Sequence, residues 1–520
     1  MQAQKTISTT LSIVLSIVAV TSELLHLVND PYRGIFLALS IAIIWLAYYA
    51  YNTFGIQSYK TTIFYTRDRA TPSMKKDIKN YKHLAFIGIS QQSLNIYLSE
   101  VINEDKEKPL PWESITVYFA NDIMGKLREE EYFEKNVRES KLKIAGLLFG
   151  ESNYKRLKNF TTLDFRQIRL STNFAGCFCG NVGFDQEAPA PEIIYSVNSL
   201  PNDLQTQNSW TVRVEKKSKS NNPHLFNVLE ASFIKIKDNS DELGKQTLSA
   251  WEWSSSAWNN FENFYSGFKT GVDEMVAQLD LNDRKVLDIG AGTGNVSKYL
   301  LSLYPKAKFT LIDNSANMLL SAKTTIGDAA DYELFSIPIM TDHFINKHKD
   351  HFDYVISHLS IQTMAHNLES LHDVASNCMI LLKKGGVVLM AVHHSRDISL
   401  SHANDVKIHD IFVHDIEKEL SKGNLVIKNR NKAVLNDEDI ANKFEALGFY
   451  QSFRKDINMG FSFYDKKRLW EVPAVFDSIT DIRSVGVGRA KAIVETAFAK
   501  HVPSELKDRY ITIFHFQKPK

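Results

Sequence analysis

Two uncharged apolar runs stand at the front of the chain and nothing like them recurs. Thr6 to Ser22 (TISTTLSIVLSIVAVTS) is the shorter, and Gly34 to Tyr59 (GIFLALSIAIIWLAYYAYNTFGIQSY) is the longer. The second reaches the roughly 20 residues a helix needs to cross a bilayer core, and Trp45, Tyr48, Tyr49 and Tyr51 suit an interface. The first ends at Glu23 and His26 and reads as a second span. A signal peptide cleaved near AVTS is the alternative, but a clear small-x-small pattern is lacking there. NDPYR becomes the external turn of a transmembrane helical hairpin over residues 1–59. Lys60, Arg67, Arg69, Lys75, Lys76 and Lys79 come after it and place the remaining domains on the cytosolic side of an inner or plasma membrane.

From about Leu84 the pattern changes to that of a globular α/β region, residues 60–245. HLAFIGIS predicts a buried strand, QQSLNIYLSEVI a helix with apolar residues at helical spacing, and ITVYFAND another strand. The charged stretch KLREEEYFEKNVRESKLKIAGLLFG predicts a helix. FRQIRLS, FAGCFCGN, EIIYSV and WTVRVE predict short strands, with the prolines of EAPAPE marking a loop. The order of elements suggests a Rossmann-like or degenerate phospholipase-D-like domain. It holds no HxKxxxxD pair for phosphodiester chemistry, and the chain has no GxxxxGK[ST] phosphate loop. The polar segment KDNSDELGKQTLSA then separates it from a third region.

That third region, 246–520, carries the chemistry. VLDIGAGTGN puts Gly290, Gly292 and Gly294 where a strand turns into a helix. Glycine allows the tight turn there and lets a ligand approach the backbone. Asp288 precedes the glycines, which suits a carboxylate near an ammonium group better than a pyrophosphate. FTLIDNSANML ends the next strand at Asp313, an acid placed to accept hydrogen bonds from ribose hydroxyls. FDYVISHLSIQTM and LLKKGGVVLMAVHHS predict a fourth and a fifth strand, and YITIFHFQKPK a last one.

Together these residues resemble the class I S-adenosylmethionine-dependent methyltransferases, particularly the small-molecule branch that includes trans-aconitate methyltransferase. The resemblance covers about residues 250–520 and implies a Rossmann-like fold with S-adenosylmethionine as cofactor. It implies that Asp288 and the backbone of Gly290, Ala291, Gly292 and Gly294, with Asn295, hold the methionine end. Asp313 would hold the ribose, Asn314 and Met318 would border the adenosine, and His358 would lie beside the cofactor after the fourth strand. The family's acidic cap on the adenine amine falls in SIPIMTDHF, where Asp342 with Thr341 would serve. His358, His393 and His394, with Gln362, are the candidates for the catalytic side, as hydrogen-bonding walls or as a general base. A carboxylate acceptor would need no base.

Composition narrows the partners. A net charge of +1 over 520 residues supplies no basic field for nucleic acid. SVGVGRAKAIVETAFAK resembles a helix-hairpin-helix phosphate-binding pattern, but balanced charge around it favours a helical lid near 460–500, with Arg489 facing the pocket or its rim. SHLS in place of [DNS]PP[YFW] also argues against DNA-base methylation. Cys177, Cys179 and Cys378 are the only cysteines, and the first two have no further ligands for a metal, so buried thiols and no metal site are expected. Two functions fit: a membrane-anchored methyltransferase acting on a small or lipid-like acceptor, or a non-catalytic S-adenosylmethionine sensor signalling to the membrane hairpin.

Overall fold

The computed structural model describes residues 60–520 apart from internal stretches, the longest being 121–129, 169–174, 182–190, 199–209, 216–223, 335–341, 394–402, 429–434 and 501–509. The expected hairpin at 1–59 lies outside the described residues. Among the described residues no helix is long and apolar enough to cross a membrane.

The middle region is one mixed sheet. Its strands are β1 (Lys60–Phe64), β2 (His83–Ile87), β3 (Ser114–Ala120), β4 (Thr162–Ile168), β5 (Ala175–Gly180), β6 (Ile193–Asn198), β7 (Trp210–Glu215) and β8 (Ser240–Thr247), in the order β1-β7-β6-β5-β2-β3-β4-β8. Only β2, β3 and β4 are mutually parallel. Strand alternation sorts the side chains between two cores. Leu84, Phe86, Cys177 and Cys179 face helices Arg67–Asn80, Gln91–Glu104 and Glu130–Leu148, while Ala85, Ile87 and Phe178 face helix His224–Asp238. The two cysteines thus share a face as buried thiols, and no group able to hold a metal ion is found among the described residues.

One expectation is corrected by this sheet. The polar segment KDNSDELGKQTLSA contains β8, which pairs antiparallel with β4 at the sheet edge. An edge strand tolerates charged and polar residues that a central strand would not, and this hides its strand character. The basic residues after the apolar runs belong to β1 and helix Arg67–Asn80, where Lys75 and Lys79 pair with Glu100 and Glu104.

The C-terminal region forms a second sheet from β9 (Lys285–Ile289), β10 (Lys308–Asp313), β11 (Ala330–Leu334), β12 (Phe352–His358), β13 (Leu382–His393), β14 (Tyr450–Asn458) and β15 (Tyr510–Gln517). The order is β11-β10-β9-β12-β13-β15-β14, parallel through β13 and antiparallel at β15 and β14. The order therefore runs one way from β9 to β11 and the other way from β12. The crevice of such a sheet opens at that reversal, beyond the carboxyl ends of β9 and β12. Helices Ala403–Lys422, Phe463–Glu471, Pro473–Asp477, Ile482–Val485 and Val487–Phe498 build a separate core around Phe412, Ile416, Trp470, Phe476, Val494 and Phe498.

The two regions are packed together. Helix Glu130–Leu148 lies against helix Ala316–Ile326 and β11. Gly146 is placed so that a Cβ would collide with Leu320. A mid-helix glycine costs about 1 kcal/mol against alanine; here it lets the two helices close on each other. Arg138 reaches Asp331 and Glu333, each at 3.3 Å, and Lys323 reaches Glu139 at 3.3 Å.

Candidate functional site: the crevice at the sheet's reversal

β9 is buried up to Ile289, then three glycines turn the chain with φ of 66° (Gly290), 56° (Gly292) and 78° (Gly294). All three angles lie in the left-handed region that side chains resist. Gly290 has a second reason. A Cβ there would sit 2.5 Å from Ser360 Cβ, because the loops after β9 and β12 cross tightly and Ser360 Oγ donates to the Ile289 carbonyl at 2.8 Å. Gly294 caps helix Asn295–Leu303 and lets it pack on Ala322 and Ile326. The Gly292 N–H donates to Asp313 Oδ2 at 2.8 Å, so the loop is tied to the end of β10.

Two carboxyl groups face this crevice from the ends of β9 and β10. Asp288 accepts from Ser297 Oγ at 2.5 Å, and burial pushes its pKa up to about 7 against that bond. Asp313 accepts from the N–H groups of Ser315 and Gly292, and burial pushes it up to about 6. Both are carboxylates waiting for donors or a positive charge, since desolvation disfavours their charged form.

The crevice is a cavity of about 910 Å³. Asp288, Gly290, Ala291, Gly292, Asp313, Asn314, Met318, His358 and His393 all line it, so most of the residues that the sequence pattern selects come together. Asn295 does not line it; its amide turns to Asn259 at 3.3 Å and Thr293 at 3.2 Å. Gly294 is absent from the wall too, being used in helix packing. Thr341 and His394 lie outside the described residues, as does the side chain of Asp342, which begins helix Asp342–His348. Gln362 is occupied by backbone: it accepts from His393 N at 2.8 Å and donates to the carbonyls of His393 and Leu435. Arg489 is exposed and lies against Gly423 rather than the cavity, while Arg483 from the same helical insertion lines it.

His358 ends β12 with its ring edge-on to Phe268 at 4.7 Å. Its Nε2 is buried without a hydrogen-bond partner, beside Gly271, where a Cβ would come within 3.0 Å. Burial pulls its pKa down to about 4, so the imidazole is neutral at neutral pH. The next residue, Leu359, takes φ 58°, a conformation costing about 1–3 kcal/mol for a residue other than glycine. Its N–H to the Ala391 carbonyl at 2.8 Å helps to hold it there.

The opposite wall is one that the motifs do not announce. Ser249, Trp251, Trp253, Trp258 and Phe261 come from the segment just before the glycine loop, and Trp251 meets Trp258 edge-on at 5.6 Å. Three of the seven tryptophans fall between positions 251 and 258, a density that could have flagged this wall. Ser249 Oγ is buried with no partner. Glu252, alternating with these aromatics, points away into the N-terminus of helix Ala316–Ile326. There it accepts from Ala316 N, Asn317 N and Ser315 Oγ, each at 3.1 Å, and burial pushes its pKa up to about 8. The helical insertion closes the rim with two ion pairs, Lys428–Asp477 at 2.8 Å and Arg483–Asp481 at 3.2 Å.

These residues can be matched against S-adenosylmethionine group by group. A positive end would meet Asp288, ribose hydroxyls would meet Asp313, a purine has aromatic and thioether walls, and the orphaned Ser249 hydroxyl requires a polar partner. The residues present fit that group.

Comparisons with known proteins agree. A family model described as a methyltransferase domain matches residues 287–388. A trans-aconitate 2-methyltransferase of Rhodopseudomonas palustris (strain BisA53) is 38% identical over 73 residues, 14% of this chain and 27% of that protein. A ribosomal RNA small subunit methyltransferase C of Buchnera aphidicola is 38% identical over 79 residues, 15% and 23% of the two chains. The match thus spans about a quarter of the length of these curated relatives. The solved structure of Haemonchus contortus phosphoethanolamine N-methyltransferase 2 in complex with S-adenosyl-L-methionine covers 87% of this chain and 99% of that one. Its identity is 14% and its TM-score 0.34, too low to bear on function. The crevice, its carboxylates and the matched segment together mark residues 287–388 as a methyltransferase domain whose site fits S-adenosylmethionine.

Proposed function

We propose that the protein is a membrane-anchored methyltransferase that passes a methyl group from S-adenosylmethionine to a small or lipid-like acceptor. The observation that carries this reading is the size of the cavity. At about 910 Å³ it stands near the top of the roughly 300–1,000 Å³ range of ligand sites, which leaves room for a second molecule beside the cofactor. Its further wall is apolar, with Trp258, Phe261, Leu469 and Val475, beneath the ion-paired rim. S-adenosylmethionine supplies a methyl carbon that is already electrophilic, so the chain's share is alignment and exclusion of water. His358, neutral at neutral pH, suits hydrogen bonding to an acceptor better than storing its proton. That arrangement favours an acceptor with no proton to lose, such as a carboxylate. Trans-aconitate and a malonyl group, which the names of relatives mention, are of this class. The membrane part of the reading rests on the uncharged runs within 1–59 and on the basic residues after them.

The test is S-adenosylhomocysteine release by the purified full-length protein, supplied with labelled S-adenosylmethionine and fractionated lipid and metabolite extracts. Release that depends on one fraction, with label recovered in it, is the expected result. Tight cofactor binding with no turnover on any fraction would replace the enzyme with the sensor.

A further inference from the structure

Among the described residues none before Ser249 lines the cavity, yet the middle region grips the element that forms its ribose end. The grip is a short chain of contacts through Asn317. Its side-chain amide donates to the Phe149 carbonyl, at the end of the middle region's docking helix, at 2.8 Å. It also donates to the Glu252 carbonyl at 2.8 Å. Its backbone N–H donates to the Glu252 carboxylate, which caps the same helix through Ala316 and Ser315. The Ser315 N–H in turn donates to Asp313 Oδ1 at 2.8 Å, and Met318, one residue beyond Asn317, lines the cavity.

These bonds act at one short segment. Asp313, Asn314 and Met318 all belong to the turn and first residues of helix Ala316–Ile326. That helix is pressed from outside by Gly146 against Leu320 and by the Glu139–Lys323 ion pair. A buried carboxylate and a half-buried amide with satisfied partners fix geometry, because any shift leaves a polar group unpaired. The segment therefore cannot move without either dragging the docking helix or breaking those bonds.

We propose that Asn317 and Glu252 are positioning residues through which the docked middle region sets the ribose end of the cofactor site, so that cofactor affinity depends on a domain none of whose described residues lines the cavity. The proposal rests on the cofactor reading above. Coupling of this kind is reciprocal: if docking favours cofactor binding, the cofactor must favour docking by the same factor.

The experiment uses the full chain and S-adenosylhomocysteine as the probe. Calorimetric titration of the parent and of Asn317→Ala should show affinity falling on the order of tenfold in the variant, within the range of ordinary coupling. Hydrogen–deuterium exchange should show that saturating S-adenosylhomocysteine slows exchange in residues 130–148 of the parent, and that the slowing is lost in N317A. A parent that binds while residues 130–148 exchange unchanged overturns the proposal, and needs no variant to do so. A parent that binds, with N317A folded and equal in affinity, overturns it as well. A parent that fails to bind overturns the cofactor reading and this inference with it.

Discussion

The two sheets have nearly the same make-up, mixed strands with helices on both faces, but they treat buried acids differently. In the middle region Asp77 is closed off by the Tyr195 hydroxyl at 2.5 Å, itself bonded to Ser73 at 3.0 Å. In the C-terminal region Asp288 and Asp313 are partly satisfied and still face a cavity. Strand direction accounts for the difference. Both sheets reverse their order beside a central strand, but β5 runs antiparallel to β2, whereas β12 is parallel to β9, so two carboxyl ends meet at that reversal and the loops beyond them diverge. Asp77, on the helix packed over the middle sheet, serves stability, and the acids beside the parallel reversal are left for a ligand.

The strongest way to break this contrast is to fill the reversal. Gly290→Val adds a side chain at positive φ and against Ser360. At about 3 kcal/mol or more, S-adenosylhomocysteine affinity should fall roughly 100-fold by calorimetry, with circular dichroism reporting the fold. Asp313→Ala removes the ribose acceptor and the partner of the Gly292 N–H, and a loss of about 1–3 kcal/mol predicts weakening of roughly tenfold. Equal affinity in a folded D313A would remove Asp313 from the site.

The acids also predict a pH dependence whose sign can be worked out. Folding raises Asp288 from an ordinary 3.8 to about 7 and Asp313 to about 6. Their contribution to stability is therefore full below about pH 4 and is lost as pH rises through 6 and 7. Asp288→Asn should flatten that decline, gaining on the parent at pH 8 relative to pH 4 in denaturant titrations. Ligand donors and a positive charge prefer the ionised acids, so S-adenosylhomocysteine affinity should climb severalfold from about pH 5 to pH 8. A flat profile would mean that neither acid meets the ligand.

The other side of the contrast predicts smaller effects. Tyr195→Phe leaves Asp77 without its hydroxyl and should cost about 1–3 kcal/mol of stability, while cofactor affinity stays as it was. Least of all should come from Arg489→Ala, within about 0.5 kcal/mol and with unchanged turnover, because that side chain is exposed away from the cavity. Arg483→Ala at the rim should alter acceptor turnover instead. If the two variants behaved alike, the rim would have no part in acceptor binding.

What is legible in the sequence depends on distance along the chain. The glycine loop and Asp313 can be read because their chemistry is local: a turn, a strand end and a fixed interval between them. Glu252 and Ser249 cannot, since their roles arise only where the segment before the domain folds back on helix Ala316–Ile326. β8 is hidden because an edge strand need not alternate. Gly146 reads as a defect in a helix until Leu320 is seen across from it. In the helical insertion, the motif points to Arg489 although Arg483 is the arginine that faces the cavity. Helix-hairpin spacing fixes the backbone and leaves side-chain orientation to packing.

Leu359 carries an implication for anyone wishing to make this protein hardier. Its left-handed backbone is a point where glycine would relieve strain, so Leu359→Gly is an obvious stabilising replacement. Yet the residue comes directly after His358, between β12 and the Ser360 that braces the glycine loop. The position that looks easiest to improve is thus itself a wall of the cavity and packs on the core, so sturdiness gained there would be traded against order in the crevice.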